Sequence, residues 1–231
     1  MSTDASNDAS AAVSRDELPN ARVRLRLHFH ASSLPERDIE QTIWLRGSKF
    51  RVRDEVGREL YEMLGDVTYP RGLGLPATTM EEIMDRNDAA RRKPTGVTDV
   101  YGDLATGAGW VGQTGEKPSP VPASKLAPLA RQVLAAGDDP RLTAVARAGD
   151  VKRLGRAAVE YKGDVEVDEK GAKRRNAVVR VVAPPYLLLD DVRNAELADH
   201  YYVREVVALD EGVVTDADVT PPSAPSPVPA P

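Results

Sequence analysis

The chain contains no cysteine and only three histidines, and its largest aromatics are scarce, with two phenylalanines and two tryptophans in 231 residues. The missing thiol excludes disulfides, thiolate zinc sites and cysteine nucleophiles, and leaves the compartment open, since proteins on either side of a membrane can lack it. So few histidines leave few bases for a serine nucleophile, and no G-x-S-x-G elbow is present. No stretch approaches the ~18 consecutive apolar residues of a membrane-spanning helix. Residues Met1 to Asp16 are rich in Ser, Ala and Asp, without the basic and apolar regions of a secretory signal. As written the chain is therefore expected to be cytoplasmic; if Met1 is not the native start, a periplasmic or other extracytoplasmic location follows instead. An excess of positive charge is absent too: the net charge is −5, so no nucleic-acid partner is expected. With aromatics at 5%, the core should lean on Val and Leu.

What is present is strand alternation. In Ala21 to His30, Val23, Leu25, Leu27 and Phe29 alternate with Arg22, Arg24, Arg26, His28 and His30, the period of a half-buried strand with one oily and one cationic face. Thr42 to Arg46 and Lys49 to Arg53 flank Gly47-Ser48, a two-residue loop with Gly first that suits a type II′ hairpin. That turn places Leu45 opposite Phe50 and Ile43 opposite Val52 on one face. Arg46 with Lys49, Trp44 with Arg51 and Thr42 with Arg53 share the other.

The apolar face (Val23, Leu25, Leu27, Phe29, Ile43, Leu45, Phe50, Val52) is plain core unless the sheet curves under an incomplete cover, when it becomes a ligand cavity. The basic face offers Arg24, Arg26, Lys49, Arg51 and Arg53 to anions, with Trp44 as a stacking platform and cation–π neighbour of Arg51. An outward, solvated row that guards the sheet against edge association is the alternative. Between Tyr186 and Asp218 acids far outnumber bases, so the late segment can offset the early arginines within one fold.

Residues 1–18 and 220–231 lack apolar periodicity and read as disordered tails, the second Pro-rich and biased to extended conformations; such a tail can also dock on a protein partner. Between them, 19–219 reads as a single domain, with a Gly/Pro-rich stretch at 94–122. Thr79-Met80-Glu81-Glu82 has capping-box spacing and opens a short helix to Arg92 with Met80, Ile83 and Met84 inward. A second helix is expected from Ser124 to Ala136, with Gly137 as its carboxy-terminal cap. Thr95 to Val121 reads as irregular loop with one short strand. Leu142 to Arg147 reads as a strand leading into Val151 to Leu154. Arg156 to Asp168 should pair with Ala172 to Val182 across the three-residue loop Glu169-Lys170-Gly171, putting Val159 opposite Val181, Tyr161 opposite Val179, Glu160 opposite Arg180 and Glu166 opposite Arg174. Tyr201 to Leu209 adds a strand and Val213-Val214 begins a short last one. Seven to nine antiparallel strands and two short helices define an α+β protein.

Chemical motifs are weak. Gly107-Ala108-Gly109-Trp110-Val111-Gly112 matches G-x-G-x-x-G, but nothing upstream is a strong buried strand and Gln113 to Pro118 cannot open a helix. His28 and His30, with Glu36 and His200, could share a metal, and the spacing loosely resembles the cupin motif without its glycines. The adjoining arginine row disfavours a cation, so no metal or cofactor is assigned. Asp190-Asp191 follows Leu187-Leu188-Leu189 where a turn or cap would use it. No enzyme emerges.

Ala21 to Phe29, the segment Thr42 to Arg53 followed by Gly57 and Tyr61, and the late pattern Pro185-Tyr186, Asp191 and Val206 to Gly212 resemble LolA-like, outer-membrane lipoprotein-sorting domains of bacteria, over roughly Ala21 to Asp218. The resemblance implies a strongly curved antiparallel sheet, an unclosed half-barrel covered by helices, whose concave apolar face receives acyl chains. A non-enzymatic carrier of an apolar small molecule or acyl chain is the first expectation. A module binding protein partners or anionic polymers through the basic face and Pro-rich tail is the second.

Overall fold

A computed structural model describes residues 17–31, 34–54, 97–113, 118–135, 139–169, 172–197 and 200–222. The expected helix at 80–92, the cap Gly137 and the tail beyond residue 222 lie outside them. The first strands follow the alternation closely. β1 (Leu18–Ala31) pairs antiparallel with β2 (Leu34–Gly47), and β2 with β3 (Lys49–Asp54) in the expected register, Leu45 opposite Phe50 and Trp44 opposite Arg51. Gly47 turns the chain with φ +59°, a left-handed conformation glycine adopts without penalty. β2 begins eight residues before the expected Thr42, so Ile39 and Gln41 extend its inner face.

The stretch expected to be irregular instead contributes three strands, β4 (Thr98–Asp103), β5 (Ala108–Gln113) and the two-residue β6 (Ser119–Pro120). Its glycines misled the sequence reading because they serve packing. Gly102 lies opposite both Phe50 and Gly109. A β-carbon on Gly102 would stand 2.3 Å from the Phe50 ring, and one on Gly109 would stand 2.5 Å from the Leu126 side chain. The two glycines are a notch that seats Phe50 and α1 (Ala123–Arg131), the close approach for which strands give up a side chain. Only Gly107, at φ +69°, turns the chain between β4 and β5.

The helix α1 stops at Arg131, short of the expected Ala136, because the next residues are captured by a strand. The Leu187 amide donates to the Val133 carbonyl and the Ala135 amide to the Pro185 carbonyl, both at 2.8–2.9 Å. Leu142 belongs to a single helical turn, α2 (Pro140–Thr143), not to a strand. Asp139 caps it, accepting from the Arg141 amide at 2.8 Å, and Pro140 fills the first helical position. This Asp-Pro pairing is an ordinary helix-start signal that the strand reading passed over.

The remaining strands are β7 (Ala146–Arg153), β8 (Arg156–Glu169), β9 (Ala172–Ala183), β10 (Tyr186–Asn194) and β11 (Tyr201–Glu211). The β8–β9 register differs from expectation by one residue: Glu169 pairs with Ala172, so the loop has two residues and Val159 faces Val182, Glu160 faces Val181, Tyr161 faces Arg180 and Glu166 faces Arg175. Opposite charges meet on the diagonal instead, as Asp164 with Arg175 and Glu166 with Lys173. On its other side β9 pairs with β10 so that Arg180 lies opposite Asp190. After β11 the chain turns at Gly212, and Val214 is buried as an irregular residue held by Asn20, ahead of a short 3-10 helix, Asp216–Val219, where a last strand was expected.

Among the described residues the strands form one antiparallel sheet in the order β6-β5-β4-β3-β2-β1-β11-β10-β9-β8-β7. It is open, since its edges β6 and β7 are not paired, and it is curved. Arg153 of β7 forms an ion pair with Glu205 of β11, four strand spacings away, or ~19 Å in a flat sheet. An arginine and a glutamate cannot span that distance, so the sheet must curl. The fold is thus the curved antiparallel α+β class that the sequence implied.

Candidate functional site

The apolar face packs into one cluster. Val23, Leu25, Ile43, Leu45, Phe50 and Val52 join Val100, Val111, Val181, Leu188 and Val206 from the other strands, and Leu126, Ala130 and Val133 from the segment after β6. The described side chains among the expected ligand-facing residues, Leu27 included, are 0–6% exposed. Phe29 is placed by its backbone, opposite Tyr202.

The segment joining the two sheet edges crosses this face. It leaves β6, rests Leu126 in the Gly102–Gly109 notch, pairs Val133 to Ala135 with the start of β10, and packs Leu142 of α2 against Val182 and Leu187 before entering β7. The Val121 amide ties its first end to the Gly109 carbonyl at 2.9 Å, and Arg180 ties its second by donating to the Arg141 carbonyl. An open, apolar sheet face is therefore spanned by a helical strap fastened to both halves of the sheet.

Along the same face runs a rung of charge that sequence reasoning missed. Cross-strand neighbours Leu27, Arg204, Asp190, Arg180 and Tyr161 fall in one row from β1 through β11, β10 and β9 to β8. Asp190 is 0% exposed, Arg204 2% and Arg180 4%. Arg180 Nε donates to Asp190 Oδ1 at 2.8 Å, and Arg204 approaches Oδ2 at 3.5 Å. Burial pushes the Asp190 carboxyl up to about 6 against the pull of Arg204, and burial with the neighbouring Arg141 brings Arg180 down to about 10. Asp190 sits inside β10, not at an element end as expected. Arg180 alone left a signal in the sequence, a single charge within Val178 to Val182 that marks a polar group bound for burial; Asp190 and Arg204 each adjoin a second charged residue, Asp191 and Glu205, and carry no such mark.

On the opposite face the expected anion-contacting residues separate into distinct environments. Arg51 lies over the Trp44 ring at 4.7 Å and the Tyr101 ring at 5.2 Å, and donates to Asp99 at 2.8 Å. Arg53 holds the same carboxylate through two bonds of 2.9 and 3.0 Å. Burial alone would raise Asp99, but these hydrogen bonds outweigh it and hold the carboxyl below its ordinary range. Arg26 approaches Glu40 at 3.7 Å, Arg22 pairs with Asp210 and Arg46 with Asp216. Lys49 stands opposite Asp103 at the far end of β3. The acidic late segment does offset the early arginines, because β11 lies beside β1.

His28 is engaged by Asp38 at 2.5 Å and Tyr201 at 3.0 Å. Among the described residues no group of three acids or histidines has the spacing of a metal site. Glu36 is placed by its backbone in β2.

No family model matches the chain, and no curated protein sequence matches it significantly. Solved structures similar to it include LprF from Mycobacterium bovis, at 13% identity over 91% of both chains with a TM-score of 0.37, and a LolA superfamily protein from Nitrosomonas europaea, at 8% identity over 89% of this chain and 90% of that one with a TM-score of 0.33. The second belongs to the superfamily that the sequence patterns resemble. At these TM-scores the likeness carries no further argument, and the fold rests on the strand order and register above.

Proposed function

We propose that the protein is a non-enzymatic binding protein that holds an apolar small molecule or acyl chain between the curved sheet and the helical strap. The observation that supports this reading is the strap itself. The helix α1 has nine residues and so runs ~14 Å, while the apolar rows of β1 to β5 extend across four strand spacings, ~19 Å. The strap is fastened at its two ends and the described apolar side chains beneath it are 0–6% exposed, so a chain-shaped ligand enters by lifting the strap. Each buried methylene contributes about 0.8 kcal/mol, so such a ligand needs no polar chemistry to be retained.

Titration of the detergent-free protein with a long-chain fatty acid, followed by displacement of an environment-sensitive dye, tests this. Saturable uptake that is insensitive to salt is expected. Absence of displacement at any fatty-acid concentration below micelle formation overturns the reading.

A module that grips extended anionic polymers through the basic face is the weaker alternative, because Arg22, Arg46, Arg51 and Arg53 are held by carboxylates of the same chain. Binding that falls steeply with salt would favour it.

A further inference from the structure

Three rungs of the outer face can be compared directly from the register. Arg22 has Asp210 as its neighbour on β11, and Arg26 stands between Glu205 and Glu40. The middle rung runs Ala208, Arg24, Thr42, Arg53 and Asp99, so Arg24 has an alanine on one side and a threonine on the other. Its only carboxylate, Asp99, lies three strands away and is already shared by Arg51 and Arg53. Among the described residues Arg24 makes no ion pair, although the chain carries more acids than bases.

At this rung the surface is hollow. A cleft of about 370 Å³ is lined by Arg24, Arg26, Thr42, Arg53, Glu40 and Val207, among others. Val207 is the extra β11 residue at the register shift beside Arg24 and Leu25, a bulge of the kind that opens a ladder locally. The volume lies at the small end of ligand pockets. Arg26 is offset by Glu40 and Arg53 by Asp99, so the uncompensated positive charge in the cleft is that of Arg24, and the lining Thr42 hydroxyl adds a neutral donor. Planar guanidinium forks match the oxygens of a tetrahedral oxyanion in pairs.

We propose that this cleft is a binding site for a phosphoryl group, gripped by Arg24 with Thr42 beside the Asp99-bound Arg53, on the face opposite the apolar cluster. It is independent of the apolar-ligand reading, and neither requires the other. The group comes either from a small soluble phosphate compound or from a lipid headgroup, and the chemistry that recognises it is the same.

The test titrates the full chain with inorganic phosphate at constant ionic strength maintained with chloride, monitored by calorimetry and by amide shifts in β1 to β3. Saturable binding is expected in the wild type and in Arg22→Gln, whose arginine sits two positions away with its own aspartate. Binding at least ~10-fold weaker is expected in Arg24→Gln, which loses a charge-assisted contact. Arg24 is exposed and unpaired among the described residues, so this variant should melt with the wild type. Sedimentation with phosphatidylcholine vesicles, with and without phosphatidic acid, separates the sources: added affinity for phosphatidic acid assigns a headgroup, and phosphate binding without it assigns a soluble ligand. A response to phosphate that chloride reproduces, or that Arg24→Gln leaves intact, overturns the proposal.

Discussion

On β1 to β5 the charged side chains stand on the outer face and meet their partners within reach of water, whereas on β8 to β11 an aspartate and two arginines stand on the apolar face with water excluded. Both halves belong to one sheet and share one hydrophobic cluster. In the first half burial of Val, Leu, Ile and Phe is sufficient to fix the register, because a slip by one residue would turn every apolar side chain outward. In the second, Val178, Val181 and Val182 are buried on both faces around Arg180, so alternation does not choose the register of β9 on β10. The ion cluster does, since only one alignment sets Arg180 opposite Asp190.

The largest effect that can break this comparison is expected at Asp190. Asp190→Leu strands Arg180 and Arg204 without their counter-charge and should cost about 3–5 kcal/mol, while the triple variant Arg180→Met, Asp190→Leu, Arg204→Leu should recover most of it. Urea midpoints at neutral pH give both numbers. A single-variant cost under ~1 kcal/mol would show that the rung is no more buried than the surface pairs.

In the first half the tightest point is the glycine notch. Gly102→Ala drives a methyl into the Phe50 ring and should cost about 1–3 kcal/mol; Phe50→Leu in the same chain should return part of it, because the two sites share one space. Additive costs would mean that Phe50 does not occupy the notch.

The halves should also respond to pH with opposite sign. The folded Asp190 carboxyl lies near 6 against an ordinary 3.8, so the folded state binds the extra proton between those values and loses stability as pH rises through that window. Asp99 is held below 3.8, so its contribution is complete above that pH and disappears as pH falls through its folded value. Unfolding free energies measured from pH 3 to pH 7 in Asp190→Asn and Asp99→Asn should each lack one of these slopes. The smallest effect belongs to the exposed Arg22–Asp210 pair, where Arg22→Ala should cost under ~1 kcal/mol by the same urea measurement.

How much of this could be read from residues follows the same division. The β1 alternation and the Gly47-Ser48 turn carried the first sheet half into the right register, and the Leu126 to Ala130 stripe placed α1. The β4 and β5 strands were hidden because Gly102 and Gly109 act as absent side chains for partners remote in sequence, which local patterns cannot display. The β8–β9 hairpin went wrong by one residue because either register gives the acids of β8 basic partners on β9, directly opposite in one and on the diagonal in the other. Of the candidate site, the apolar face was legible residue by residue. The strap was not, since its two fastenings lie in backbone pairing of Val133 to Ala135 with β10. The Arg24 cleft was visible only as a basic row, because its acid-free flanks depend on where β11 pairs.

The central claim is that the strapped apolar face holds a ligand, and native mass spectrometry of protein purified without detergent tests it most directly. The predicted spectrum shows, beside the bare chain, a species heavier by one acyl-bearing molecule, removed by organic extraction and restored by added fatty acid. A single bare-chain mass, unchanged after incubation with excess fatty acid, would contradict it.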